Sequence, residues 1–163
     1  MGDVTSSNSQ RELLRHTLAT LAYRAGKAVH NAPAGFSEFR AAEGVRTPGE
    51  ILAHIGDLFD WALSIAQGKQ AWRDSKPLEW KKEMERAFSA MKKFDDLLAS
   101  AEPLHAPLDK LFQGPVADAL THVGQIALLR SIRGEAIRPE NFYVAEIVIG
   151  RVGAEQSAPK REF

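Results

Sequence analysis

Four segments of this chain carry apolar residues at the spacing of an amphipathic helix, and this pattern constrains the fold more than any other feature. Helices of about 18–24 residues with few β signals predict an all-α protein, a four-helix bundle. The four segments run from about Gln10 to about His30, from Thr47 to Gly68, from about Pro77 to Ser100, and from Gly114 to Gly134.

The second segment has the clearest start and stop signals. Thr47 is placed to cap the helix, Pro48 suits the first helical position, and Glu50 completes a Thr-x-x-Glu capping box. Gly68 is a suitable residue to end this helix, and Gly134 does the same for the fourth.

The length of 163 residues predicts a single domain. Residues 1–10 are polar and are expected to form a disordered N-terminal tail. Residues 11–150 are expected to form the bundle, with residues 135–150 as a short helix or an extended segment that packs back on it. Residues 151–163 are expected to form a flexible C-terminal tail.

Composition excludes several classes of protein. Lysine plus arginine and aspartate plus glutamate both number 21, so the formal net charge is zero, which argues against a nucleic-acid or an anionic-membrane partner. No apolar run approaches the roughly 20 residues of a membrane span, and the N-terminus lacks a hydrophobic signal-peptide core. A soluble cytoplasmic protein is expected. The absence of cysteine excludes disulfides and thiolate metal ligands.

One set of side chains combines residue types and spacing that suit a metal site. Asp118 and His122 are four residues apart in the fourth helix and therefore share a helix face. His54 lies on the apolar stripe of the second helix and would supply a third ligand if the two faces meet. Two imidazoles and one carboxylate form a ligand set that leaves coordination positions open for water or substrate.

Simpler interpretations of the same residues stay open. A histidine on an apolar stripe is often a partly buried side chain with one hydrogen-bond partner. Asp118 could be an acid in the first turn that interacts with the helix dipole, or simply the hydrogen-bonded partner of His122.

A glycine follows each of the two histidines at the same spacing, in "HIGDL" and in "HVGQI". Gly56 and Gly124 each cost about 1 kcal/mol of helix propensity relative to alanine. Close approach of a neighbouring backbone or side chain would explain both, so we expect tight packing at each glycine.

The stretches "RTPGEILAHIGDLFDWAL" and "ADALTHVGQIALLRSIRG" resemble the DinB-like family of metalloenzymes. In that family the second helix carries one metal-binding histidine, and a later helix carries His-x-x-x-His before a Gly-Gln pattern and an arginine. His54 matches the first histidine and His122 the last, while Gln125 and Arg130 match the trailing pattern. Asp118 stands where the family has its middle histidine. The resemblance covers roughly residues 10–135.

The resemblance implies an up-down-down-up bundle, often a homodimer, with a divalent metal (zinc, nickel, manganese or iron) held between helices. Some members resemble thiol S-transferases, and others resemble metal-dependent hydrolases or isomerases. A carboxylate is an acceptable ligand for these metals, so the site could survive with Asp118 or could be weakened by it. Arg130 could line a pocket or only neutralise a helix end.

Two functions follow as hypotheses. In the first, His54, Asp118 and His122 bind a divalent cation that activates a water or a small thiol. The sequence identifies no general base, and Asp57 and Gln125 are candidates to contact the ligands. In the second, the chain is a non-catalytic bundle that binds a small ligand or forms a dimeric interaction protein.

Overall fold

The chain forms four long helices joined by loops and short helical turns. The computed structural model describes the backbone of residues 2–163 and the side chains from residue 8 onward. Within these residues the fold is an all-helical bundle without β-strands, as the periodicity predicted. The elements are α1 (Gly2–Val29), α2 (Pro48–Ala66), α3 (Trp80–Ala99), α4 (Leu108–Leu111), a π-helical turn (Phe112–Val116), α5 (Ala117–Ile132) and a 3₁₀ turn (Phe142–Val144).

Helix α2 is the central element of the bundle. Its predicted capping box is present: the Glu50 N–H donates to Thr47 Oγ1 at 3.2 Å, and the Thr47 N–H donates to Glu50 Oε2 at 2.7 Å. Gly68 follows the helix with a φ of +78°, a left-handed conformation that glycine adopts without strain. The helix packs most extensively on α3 and also contacts α5 and the π turn. It is therefore held on several sides.

The core draws on all four long helices. Aliphatic side chains at helical spacing interlock around the aromatic rings of α2 and α3, as expected for a bundle. The largest fully buried side chains of the core include Phe36, Phe59, Phe94, Leu18, Leu21, Ile55, Met91 and Ile126. Among the described residues, no helix combines the length and the apolar character that crossing a membrane requires.

The fourth helical region differs from its prediction. The sequence predicted that the helix starts after Gly114, with Pro115 in its first turn. Helical backbone instead begins at Leu108 and continues through the π turn into α5, so that Pro115 lies inside the helical run. Proline has no N–H, so an α-helix would lack one backbone hydrogen bond at this position. The wider π turn accommodates the proline within the helical run. The predicted end is confirmed, since Gly134 follows α5 with a φ of +89°.

The starts of helices α1 and α3 also differ from the prediction, for reasons that the spacing of apolar residues does not show. Helix α1 begins at Gly2, so the backbone predicted as a disordered tail is helical; no proline interrupts it, and each residue added to an existing helix gains a hydrogen bond without the cost of nucleation. Helix α3 begins at Trp80 rather than near Pro77, because the Glu79 carboxylate accepts from the N–H groups of Lys81 and Lys82 and caps the helix there.

The C-terminal segment corrects the predicted flexible tail, because it returns to pack on α1. Glu140 and Glu162 pair in an isolated antiparallel bridge, and the Phe163 N–H donates to the Pro139 carbonyl at 3.0 Å. Val152 is fully buried. Residues after 150 therefore contact the rest of the chain rather than forming a solvated end.

Candidate metal centre

Three side chains from two helices converge at the edge of the bundle. His54 of α2 has its Nε2 atom 3.5 Å from Oδ2 of Asp118, and His122 of α5 has its Nε2 atom 3.3 Å from Oδ1 of the same carboxylate. The two imidazole rings meet edge to face with centroids 4.7 Å apart. One ligand atom of each residue lies within 4.8 Å of those of the other two, so this group could hold a metal ion.

The elements that carry the group are fixed independently of it. The capping box sets the start of α2 about two turns before His54. Asp118 and His122 lie one turn apart on α5, which contacts both α1 and α2. Because α4 and the π turn precede α5 without a break, Asp118 does not lie at a free helix end. The alternative of an acid placed only to interact with the helix dipole therefore loses its basis.

The hydrogen bonding of His122 prepares its other nitrogen for a cation. Its Nδ1 atom lies 2.7 Å from Oε1 of Gln125. An amide oxygen only accepts, so Nδ1 carries the proton and donates it. In the neutral ring Nε2 then presents a lone pair to the Asp118 carboxylate, which is also an acceptor. A positive charge between these two acceptors, either a second proton on the imidazole or a metal ion, satisfies both, so the donor set is compatible with a metal ion.

His54 is held in the form that a metal requires. Burial lowers the pKa of its imidazole, and the nearby His122 and Arg46 lower it further, against the opposing effect of Asp118. The ring is therefore neutral at pH 7, and neutral imidazole is the ligand form.

The centre is open to solvent on the carboxylate side. The Asp118 side chain is 46 % exposed, whereas those of His54 and His122 are 18 % and 11 % exposed. Trp72 stands edge-on to the His54 ring with centroids 5.6 Å apart, and Trp61 meets Trp72 in the same way at 5.7 Å. A small molecule could therefore reach the centre beside an aromatic wall.

The structure places Gln125, but not Asp57, in contact with the predicted ligands. Asp57 instead faces α3, where its carboxylate accepts from the Arg86 guanidinium at 3.0 Å and from the Ser75 N–H at 2.8 Å. The prediction for Asp57 was wrong because its side chain lies about 60° around the helix axis from that of His54, where Ser75 and Arg86 engage its carboxylate.

The two glycines have different surroundings. A side chain at Gly56 would meet the Arg86 guanidinium at 2.8 Å, so close packing explains this residue. Gly124 is exposed, with no atom within 4 Å of where a Cβ would lie, so the expected close approach is wrong there.

Arg130, the arginine of the matched pattern, lies away from the centre. It is buried, and its guanidinium donates to the His30 carbonyl at 2.8 Å and the Asn31 carbonyl at 3.3 Å. These carbonyls follow the end of α1. Arg130 therefore neutralises a helix end, but that of α1 rather than its own.

Trp72 was missed by the sequence analysis as part of the site. It lies between α2 and α3, where no periodic pattern indicates a position. Only the return of this connecting segment across α2 places the ring beside His54.

No family model, no curated protein and no solved structure matches this chain. The chemistry of the centre is therefore interpreted from its own atoms. Two imidazole nitrogens and a carboxylate suit zinc and other divalent first-row metals, and three protein ligands leave at least one coordination position free.

Proposed function

We propose that the protein is a divalent-metal-dependent enzyme whose metal is held by His54, Asp118 and His122 between α2 and α5. The observation that carries the proposal is the convergence of one ligand atom from each of these three residues within 4.8 Å of the others, with the His122 Nδ1–Gln125 hydrogen bond orienting one imidazole. The carboxylate is partly exposed and the two imidazoles are largely buried, so the three ligand atoms face a space that a cation can reach from solvent.

The proposed chemistry is hydrolysis or thiol S-transfer on a small molecule. A bound cation of this type supplies Lewis-acid activation of a water or a thiol. The chain's own contribution is to orient the ligands: Gln125 sets the tautomer of His122, and burial keeps His54 neutral. The exposed edge of Asp118 and the wall formed by Trp61 and Trp72 define the side from which a substrate approaches.

Membership of the DinB-like family belongs to the same proposal. The order of the helices and the positions of His54, His122 and Gln125 support it, and Asp118 in place of a histidine is its one departure. With the family we also propose a cytoplasmic homodimer whose metal is zinc, nickel, manganese or iron.

The proposal is tested by metal titration of protein purified without a chelator. We expect one divalent ion per chain, and loss of affinity on the order of 100-fold or more in His54→Ala and in His122→Ala, because each removes a direct ligand. Asp118→Asn should also weaken binding. Gln125→Ala should weaken it by about tenfold, because it removes only the partner that orients His122.

The matched control is His16→Ala, which removes an exposed histidine outside the centre. In addition, metal at 100 times its Kd should stabilise the wild type by about 2.7 kcal/mol in thermal unfolding, and a chelator should remove this effect. Equal metal content in the wild type and in the His54→Ala/His122→Ala double variant would contradict the proposal and favour a non-catalytic bundle.

A further inference from the structure

A second cavity lies on the other side of α2, between α3 and the segment that connects the two helices. Its volume is about 450 Å³, which is within the range of small-molecule sites. We call it the basic cavity, because four of its nine lining residues are basic, namely Arg73, Lys76, Arg86 and Lys93, and only one, Asp60, is acidic. It shares none of the three proposed metal ligands.

The floor of the basic cavity is fixed by a buried ionic network. The Arg86 guanidinium donates to Glu83 at 2.6 Å, to Asp57 at 3.0 Å and to the Ala53 carbonyl at 2.6 Å. Glu83 and Asp57 are almost completely buried. The guanidinium is therefore held in one orientation, and its position does not depend on a ligand.

One wall is attached to the same network. The Ser75 hydroxyl donates to Asp57 at 2.7 Å, and the Ser75 N–H donates to the same carboxylate at 2.8 Å. This double contact holds the connecting segment against α2. The neighbours of Ser75, Arg73 and Lys76, are thereby brought to the rim of the cavity.

The charge of the rim is unbalanced, although the charge of the whole chain is zero. Arg86 pairs with two carboxylates, Glu83 and Asp57, and Asp60 approaches it at 3.6 Å, so the floor of the cavity carries more negative than positive charge. In contrast, Arg73, Lys76 and Lys93 have no ion-pair partner in the described part of the chain. Three unpaired cations thus lie at the rim, where Asp60 is the one carboxylate of the lining, while Asp57 and Glu83 lie buried beneath the Arg86 guanidinium.

We propose that the basic cavity binds the phosphate or diphosphate group of a small molecule. An arginine and two lysines on different walls can contact several oxygens of one anion, which a phosphate offers and a single carboxylate does not. The three cations are exposed at the rim, so they can reach an anion directly from solvent and attract it from several sides. The site is separate from the proposed metal centre and does not rest on it.

The test is isothermal titration of the full chain with inorganic diphosphate. We expect saturable binding with one ion per chain, weakened about tenfold by Arg73→Gln and by Lys93→Gln. The matched control is Lys81→Gln, which removes the same charge from an exposed position of α3 outside the cavity and should leave the affinity unchanged.

A second pair of variants changes the charge in the opposite direction. Asp60→Asn should strengthen binding because it removes the one carboxylate of the cavity, whereas Glu85→Gln, an exposed glutamate of α3 outside the cavity, should not. The proposal would be overturned if Lys81→Gln weakened binding as much as Arg73→Gln, or if Glu85→Gln strengthened it as much as Asp60→Asn. Either result would indicate nonspecific attraction by net charge.

Diphosphate also binds divalent metals, so the titration is repeated in the presence of a chelator on His54→Ala. This variant lacks one proposed metal ligand and retains the basic cavity. Unchanged affinity would support the proposal. Affinity lost in His54→Ala but retained in Arg73→Gln would overturn it and assign the anion to the metal centre.

Discussion

At the scale of single residues, Gly56 and Gly124 occupy equivalent positions two residues after a histidine, yet only one of them is required by packing. The Arg86 guanidinium fills the space above Gly56 and is held there by three partners, so it cannot move aside without losing hydrogen bonds. Gly124 faces open space. An additional methyl group should therefore have opposite effects at the two positions.

We expect Gly56→Ala to lower the free energy of unfolding by about 1–2 kcal/mol, because the lost Arg86 contacts outweigh the gain in helix propensity. Gly124→Ala should raise it by about 0.5–1 kcal/mol, because alanine favours the helix and meets no neighbour. Urea unfolding of the two variants measures both. Stabilisation by both substitutions would contradict the packing assigned to Gly56.

At the scale of secondary-structure elements, the two helices of the metal centre are positioned by features at their N-terminal ends. The capping box starts α2, and the π turn precedes α5. A π turn takes in one residue more than an α turn, so it rotates the following residues by about 100° around the helix axis. The face on which Asp118 and His122 meet His54 therefore depends on this turn.

The capping box makes the stability of the protein depend on pH. The bond from the Thr47 N–H and the ion pair with Arg40 lower the pKa of Glu50 below its ordinary value of 4.5. A carboxyl whose pKa is lower in the folded state stabilises the protein at every pH above its pKa in the unfolded chain. This stabilisation is lost as the pH falls through the pKa of the folded state.

We therefore expect Glu50→Gln to be less stable than the wild type at pH 7, and we expect the difference to shrink below about pH 4.5. Denaturant unfolding at a series of pH values between 7 and about 3 measures this difference. Glu85→Gln, an exposed change outside the cap, is the control. A difference that stays constant over the whole series would show that ionised Glu50 does not stabilise α2.

At the scale of the whole molecule, the return of the C-terminal segment closes the bundle around a buried acid. The Glu140 side chain is completely buried, and it accepts from Lys27 Nζ and from the Tyr23 hydroxyl, both at 2.7 Å. Lys27 also pairs with Glu162 at 2.7 Å, and so connects α1 to both parts of the segment. A buried carboxylate that loses its cation is costly.

We expect Lys27→Met to lower the free energy of unfolding by about 3 kcal/mol or more, because it leaves Glu140 buried beside Tyr23 alone. Lys92→Met removes the lysine of an exposed pair with Asp96, and it should change stability by less than about 0.5 kcal/mol. Thermal unfolding of both variants provides the comparison. Equal and small effects would contradict a structural role for the C-terminal segment.

Much of the fold could be predicted from the sequence because its signals are local. The period of apolar residues predicted four helices, and Thr47, Glu50, Gly68 and Gly134 marked boundaries that the structure confirms. The π turn could not be predicted in the same way, since Gly114 and Pro115 are ordinary signals for a helix start. The polar C-terminal residues gave no periodic signal of their contacts with α1.

The sequence by itself determined the helices and the shared face of Asp118 and His122, because helical geometry relates residues four apart. Only the tertiary structure decided that His54 joins them, that Asp57 turns to Arg86 and that Trp72 lies beside the His54 ring. These relations depend on how helices rotate and pack against one another. Such long-range contacts depend on how all the helices pack together to bury the core. The sequence of a single segment does not contain this information.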